Sequence, residues 1–99
     1  MSYEIFNHVR RYYGRPDNQN KYNIVLRLNH NNPIPKNWEY VIEIYDLRKK
    51  PGKQVINRYY GLTPEFFDQA NRSDCFTHTE YPGVSFLTYI PEKDNHWKP

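Results

Sequence analysis

The sequence predicts an α+β fold: a single antiparallel sheet of about five strands with two helices packed on one face. Two segments carry apolar residues at helical spacing, one near the N-terminus and one after residue 62. Between and after them lie segments in which polar and apolar residues alternate, as in half-buried strands. Short polar turns join these alternating segments, and a short turn makes the joined strands antiparallel.

The first predicted helix covers residues 2–13. Its apolar side chains recur every three or four residues, which is expected of a helix with one buried side. Gly14 follows directly, and glycine is typical of helix ends. The apolar side chains of this helix are Ile5, Phe6, Val9, Tyr12 and Tyr13.

The second predicted helix begins after Thr63 and runs to about Asn71. A threonine before the first turn is a favourable N-cap, and Pro64 suits the first helical position. Asp68 precedes Arg72 by four residues, a spacing that favours an ion pair on a helix surface.

The strand prediction rests most firmly on the hairpin at 38–60. Trp38, Tyr40, Ile42 and Ile44 alternate with polar and mixed residues, so one side of this strand is expected to be buried and the other mixed. A basic turn, RKKPGK at 48–53, leads to its partner strand, and a second hairpin turns at Tyr81-Pro82-Gly83. NNPIPK at 31–36 is the longest predicted loop. The predicted strands are 23–30, 38–47, 54–60, 75–80 and 84–90.

At ninety-nine residues we expect one domain, 1–99, in which 91–99 is a flexible polar tail unless Trp97 docks. The core is expected to be small and rich in aromatic rings, since the chain has ten Tyr, five Phe and two Trp. A homodimer that buries more of these rings is an alternative source of stability.

Positive charge is concentrated in the first half of the chain. Residues 1–53 hold ten Lys and Arg against five Asp and Glu, whereas residues 54–99 hold four against six. This excess of positive charge would attract nucleic acid or an acidic protein surface. The alternative is that these residues form an ordinary solvated surface. The cations form two groups, which make one patch only if the helix end and the 48–53 turn share an end of the sheet. The groups are Arg10, Arg11, Arg15 and Lys21, and Arg48, Lys49, Lys50 and Lys53.

The tetrapeptide RYYG occurs twice, at 11–14 and 58–61, although the flanking residues share no pattern. We interpret both copies as ends of secondary structure, where glycine terminates the element and one tyrosine of each pair is buried. The alternative is a binding role, because exposed tyrosine stacks on bases or anchors protein interfaces and arginine meets phosphate. The candidate binding residues are therefore Arg10, Arg11, Tyr12, Tyr13, Arg15, Arg48, Lys49, Lys50, Lys53, Arg58, Tyr59 and Tyr60.

Nothing in the sequence indicates catalysis, a metal site or a cofactor. The four histidines lack metal-ligand spacing, and no phosphate-binding glycine loop is present. His78 and Glu80 share a strand face, which would allow a partial metal site in a small nuclease, although a lone surface pair is the commoner arrangement. We predict a protein that is not an enzyme. One cysteine, Cys75, allows no internal disulfide and suits an intracellular protein. No signal peptide or membrane-spanning run is visible.

The chain resembles the small accessory proteins of archaeal filamentous and rod-shaped viruses in its single α+β domain and in three stretches of sequence. These are YYGRPDNQNKYN, NHNNPIPKNWEY and VIEIYDL. The resemblance implies a location in the host cytoplasm and a host or viral protein as partner. Some such proteins are dimers that block host CRISPR effector complexes. The leading expectation is a non-enzymatic protein-interaction module, a homodimer; the alternative is a basic nucleic-acid-binding protein that uses Arg/Lys loops and Tyr stacking.

Overall fold

A computed structural model describes residues 2–30, 38–82 and 84–97 of the chain. The predicted loop at 31–36 and Gly83 of the second hairpin lie outside the described residues. The elements in chain order are α1 (Ser2–Tyr13), a 3-10 turn (Pro16–Asn18), β1 (Tyr22–His30), β2 (Trp38–Asp46), β3 (Val55–Leu62), α2 (Pro64–Asn71), β4 (Phe76–Tyr81), β5 (Val84–Tyr89) and two further 3-10 turns (Pro91–Lys93 and Asn95–Trp97).

The five strands form one antiparallel sheet in the order β3-β2-β1-β5-β4. Both predicted hairpins, β2–β3 and β4–β5, are present, and β1 pairs with both β2 and β5 at the centre of the sheet. The α+β prediction is therefore confirmed.

Both helices pack on one face of this sheet, which we call the covered face. Leu26 lies opposite Ile42 on β2 and Leu87 on β5, and all three side chains are fully buried. Phe6 and Val9 of α1 and Ala70 of α2 belong to the same core cluster as these strand residues. Phe6 is the centre of an aromatic group, with ring centroids 5.4–5.6 Å from those of Phe66, Phe76 and Tyr89.

The predicted signals for α2 are confirmed. The Thr63 hydroxyl accepts a hydrogen bond from the backbone N–H of Phe66 at 3.2 Å, which is the N-cap arrangement that satisfies a free amide of the first turn. Asp68 and Arg72 form the expected ion pair at 3.0 Å.

The two RYYG glycines differ in role. Gly14 follows the last residue of α1, and its backbone N–H donates to the Arg10 carbonyl. The expectation that Gly61 ends its strand is wrong, because β3 continues to Leu62. Gly61 lies at a register shift against β2 and has a φ of 89°, a left-handed conformation that favours glycine at a bulge.

The C-terminal segment that begins at residue 91 packs against the rest of the fold, as expected if Trp97 docks. Asp94 is buried and forms an ion pair with the buried Arg10, with Nη1 to Oδ2 at 3.0 Å. The Tyr89 hydroxyl donates to the same carboxylate, and the Trp97 indole N–H donates to the Tyr89 hydroxyl at 2.8 Å. Residues 91–97 are thereby joined to α1 and β5, so the expectation of a flexible tail does not hold for them.

Candidate functional site

Arg10 does not belong to the surface patch that we expected from the sequence. It lies one turn after Phe6 on the buried side of α1, and its guanidinium is enclosed with Asp94 and Asn7. Burial would raise the pKa of Asp94, but hydrogen bonds from Tyr89, the His96 backbone N–H and Arg10 outweigh it and hold that pKa below its usual range. This pair therefore joins α1 to the C-terminal segment and is not available to a ligand.

The end of α1 and the basic turn lie at the same end of the sheet, joined by Tyr22. The Tyr22 ring packs edge-on against Tyr13, with centroids 5.1 Å apart. On its other side the Arg48 guanidinium lies 5.2 Å from the ring centroid and donates to the Tyr22 hydroxyl at 3.0 Å. The end of α1 thus meets the basic turn through Tyr22, and of the first basic group Lys21 lies beside it, where its backbone carbonyl accepts from the Leu47 N–H at 2.8 Å. We call this region, made of Tyr12, Tyr13, Lys21, Tyr22 and Arg48 to Lys53, the basic end.

The cations of the basic end differ in how far their charge is neutralised. Arg48 donates to both carboxylate oxygens of Asp46, and these hydrogen bonds lower the pKa of Asp46. Lys49, Lys50 and Lys53 are exposed on the turn. Within the described residues, no ion pair engages these three lysines, so their charges face solvent.

The basic turn is held in one shape by its own sequence. The Lys53 N–H donates to the Lys50 carbonyl at 2.9 Å, with Pro51 and Gly52 between them. Gly52 has a φ of 87°, which matches the third residue of a type II turn whose second residue is proline. The turn therefore presents its lysines from a defined backbone.

The two RYYG tyrosine pairs each divide between core and surface, as predicted. Tyr13 and Tyr59 pack against the core, whereas Tyr12 and Tyr60 are 65% and 51% exposed. Tyr13 of α1 and Tyr59 of β3 pack against the same core, so the two copies meet on the covered face, and burial together with the neighbouring Tyr13 raises the pKa of Tyr59. Of the other candidate residues, Arg11 is exposed and Arg15 pairs with Asp17 at 3.4 Å.

Arg58 lies apart from the basic end, on the face of the sheet opposite the two helices. There its Nε donates to Glu43 at 2.7 Å, and Nη1 of Arg27 donates to the same carboxylate at 3.4 Å. The Tyr45 hydroxyl adds a third hydrogen bond at 3.1 Å, and burial together with Glu43 raises the pKa of Tyr45. Glu43 is only 2% exposed, so a buried carboxylate here holds two arginines at the surface.

We call this second side of the sheet the open face. Val25, Val41 and Glu43 are buried there but lie outside the core cluster that contains the helix residues. No helix of the described part of the chain packs on this side. The strand alternation predicted that this side of β2 would be mixed, and that is confirmed.

A cavity of about 260 Å³ lies on the open face, and we call it the open-face pocket. Sequence reasoning identified none of its residues as candidates. Its lining comes from β1, β2, β5 and the margins of the basic turn, which are distant in sequence, so no local motif marks it. The lining residues are Asn23, Val25, Arg27, Tyr45, Leu47, Gln54, Phe86 and Thr88.

Across residues 2–30, 38–82 and 84–97, no group of three or more His, Cys, Asp or Glu side chains is placed to hold a metal ion. His78 forms a hydrogen bond with the Ser85 hydroxyl at 2.7 Å. Within the same ranges no helix is long and apolar enough to cross a membrane.

Comparisons with protein-family models, with curated proteins and with solved structures found no match for this chain.

Proposed function

We propose that this chain is a non-enzymatic module that binds single-stranded nucleic acid through its basic end. The observation that carries the proposal is the contact of Tyr22 with both Tyr13 and Arg48, which brings the aromatic end of α1 against the basic turn. Proteins that bind single strands combine a positive surface for the phosphates with aromatic rings for the bases. The basic end has both components within one region.

The lysines of the turn supply the charge in this proposal. Lys49, Lys50 and Lys53 are exposed, and phosphate contacts by such side chains release counterions from the nucleic acid. Tyr12 is the most exposed aromatic residue of the region, so it is available for a base to stack on. Arg48 is neutralised by Asp46, and we assign it to orienting Tyr22 instead.

Fluorescence anisotropy with a labelled single strand of mixed sequence, from low to physiological salt, tests this function. We expect affinity to fall steeply with salt. Lys49→Glu and Lys50→Glu, made singly, should each weaken binding at low salt and reduce the slope of log K against log salt by about 0.7, the value for one lost contact with a single strand. Arg72→Glu is the matched control, because it changes net charge equally but lies at the C-terminal end of α2, away from the basic end.

Two results would contradict the proposal. One is the absence of binding at low salt for the unmodified chain. The other is an equal loss of affinity in Arg72→Glu, since that would reflect net charge and not a defined surface.

A protein-interaction module, acting on a host or viral protein and forming a homodimer, is the second candidate function. The observation in its favour is a set of exposed aromatic rings away from the basic end: Tyr3 on α1 and Tyr81 on β4 are 62% and 61% exposed. Exposed tyrosines are common anchors of protein interfaces. A dimer mass by light scattering would support this candidate, and a monomer at all concentrations would exclude the homodimer.

A further inference from the structure

We propose that the open-face pocket receives one unpaired base of the bound strand. This inference rests on the proposed function and names the contact that makes the affinity depend on the bases. The pocket is on the open face, on which no helix of residues 2–30, 38–82 and 84–97 packs, so a flexible strand has access. Its volume of about 260 Å³ suits one planar heterocycle with its sugar at the rim, and it is too small for a stacked base pair.

The pocket adjoins the basic turn. Leu47 and Gln54 both line it, and they are the residues immediately before and after the segment 48–53. The basic turn therefore begins and ends beside residues that line the pocket. A strand held by its backbone on Lys49 and Lys50 would have a base within reach of the open face.

The pocket is lined by an aromatic side chain from each of the two strands that flank β1. Val25 on the central strand β1 forms the floor, and it is 7% exposed. Tyr45 on β2 and Phe86 on β5 stand on either side, and both rings are half-buried. Aromatic rings on a sheet surface are a general means of stacking unpaired bases, because every base has a π-face.

The polar groups at the rim favour a base, which has hydrogen-bonding edges, over a hydrocarbon ligand. The Gln54 side-chain N–H donates to the Lys49 carbonyl at 3.1 Å, which holds this amide in place and leaves its oxygen as an acceptor. Asn23 contributes a second amide, and within the described residues no hydrogen bond engages its side chain. An amide offers both a donor and an acceptor, as base edges require.

The experiment compares a single strand that carries bases with an abasic strand of equal length, both by anisotropy at low salt. The abasic strand keeps every phosphate, so it reports the basic end alone. We expect the unmodified chain to bind the base-bearing strand about tenfold more tightly. Phe86→Leu, which removes the ring but keeps an apolar side chain, should weaken binding of the base-bearing strand about fivefold and leave the abasic strand unchanged.

Two controls make the result specific. Tyr3→Ala removes an exposed ring from α1, away from this face, and should change neither affinity. Lys49→Glu should weaken both strands equally. Circular dichroism of Phe86→Leu confirms that the variant is folded, and Tyr45→Leu provides an independent variant at the opposite wall.

The outcomes separate the two proposals. If neither strand binds at low salt, the proposed function fails. If both strands bind with equal affinity, or if Phe86→Leu and Tyr45→Leu leave the base-bearing strand unaffected, the pocket does not receive a base although the basic end binds phosphate. A change in oligomeric mass in these variants without a change in strand affinity would assign the pocket to a second copy of the chain, which also overturns the inference.

Discussion

The two faces of the sheet each bury a carboxylate beside arginine, but with different consequences. Asp94 and Arg10, joined to the covered side, both have side chains that are at most 10% exposed. Glu43 on the open face is equally buried, yet its partners Arg58 and Arg27 keep 49% and 32% of their side chains in water. The first arrangement joins elements of the fold together. The second leaves positive charge at a surface where a ligand can reach it.

A first contrast between the faces comes from two neighbours on β1. Leu26 is in the helix-packed core and Val25 is on the open face, and both are buried. Leu26→Ala should lower the free energy of unfolding by about 3 kcal/mol, because it leaves a cavity between sheet and helices. Val25→Ala should cost about 2 kcal/mol or less, since it removes two methyl groups. Urea denaturation measures both values.

The same pair also separates stability from binding. Val25→Ala removes the floor of the open-face pocket and should weaken binding of a base-bearing strand, whereas folded Leu26→Ala should bind as the unmodified chain does. Weaker binding in Leu26→Ala than in Val25→Ala would contradict the division of roles between the faces.

The two carboxylates give a second contrast, with a defined pH dependence. Asp94→Asn should cost about 3 kcal/mol at pH 7, because it leaves Arg10 buried without a counter-charge. The native pKa of Asp94 lies below its usual range, so its stabilisation is present above about pH 4 and is lost as pH falls through the native pKa. Urea denaturation at pH 7 and pH 3 should therefore show the difference between Asp94→Asn and the unmodified chain shrinking in acid.

Glu43→Gln should cost less, about 1 kcal/mol at pH 7, since its arginines are partly solvated. It should also tighten strand binding, because it removes a negative charge from the open face. A larger stability loss in Glu43→Gln than in Asp94→Asn, or weaker strand binding, would show that the two carboxylates have been assigned the wrong roles.

Local patterns were sufficient for the elements of the fold. Alternation in 38–47 and the Thr63-Pro64 start of α2 each depend on neighbouring residues, and the structure agrees with them to within one or two residues. Arg10 was misplaced because a single arginine on the buried side of a helix is identified only by its partner, and Asp94 lies 84 positions away. Gly61 was misread because a bulge depends on the register of the neighbouring strand.

The candidate site also has one part that local sequence patterns predict and one part that they do not. The basic turn is a continuous segment and was visible in the sequence. The open-face pocket was not, because it requires β1 to pair with β5, and Val25 lies opposite Thr88 only after the chain has passed through every other strand. Sequence reasoning recognised the mixed side of β2 but had no means of placing Phe86 beside it.

Methyl-resolved NMR during titration with a base-bearing single strand tests the central claim most directly, because methyl groups on the two faces report separately. Bases shift nearby methyl signals through their ring currents. We predict that the methyls of Val25 and Leu47 move during the titration while those of Leu26 and Ile42 on the covered face do not. Shifts of Leu26 and Ile42 without shifts of Val25 and Leu47, or no shifts at saturating strand, would contradict the assignment of binding to the basic end and the open face.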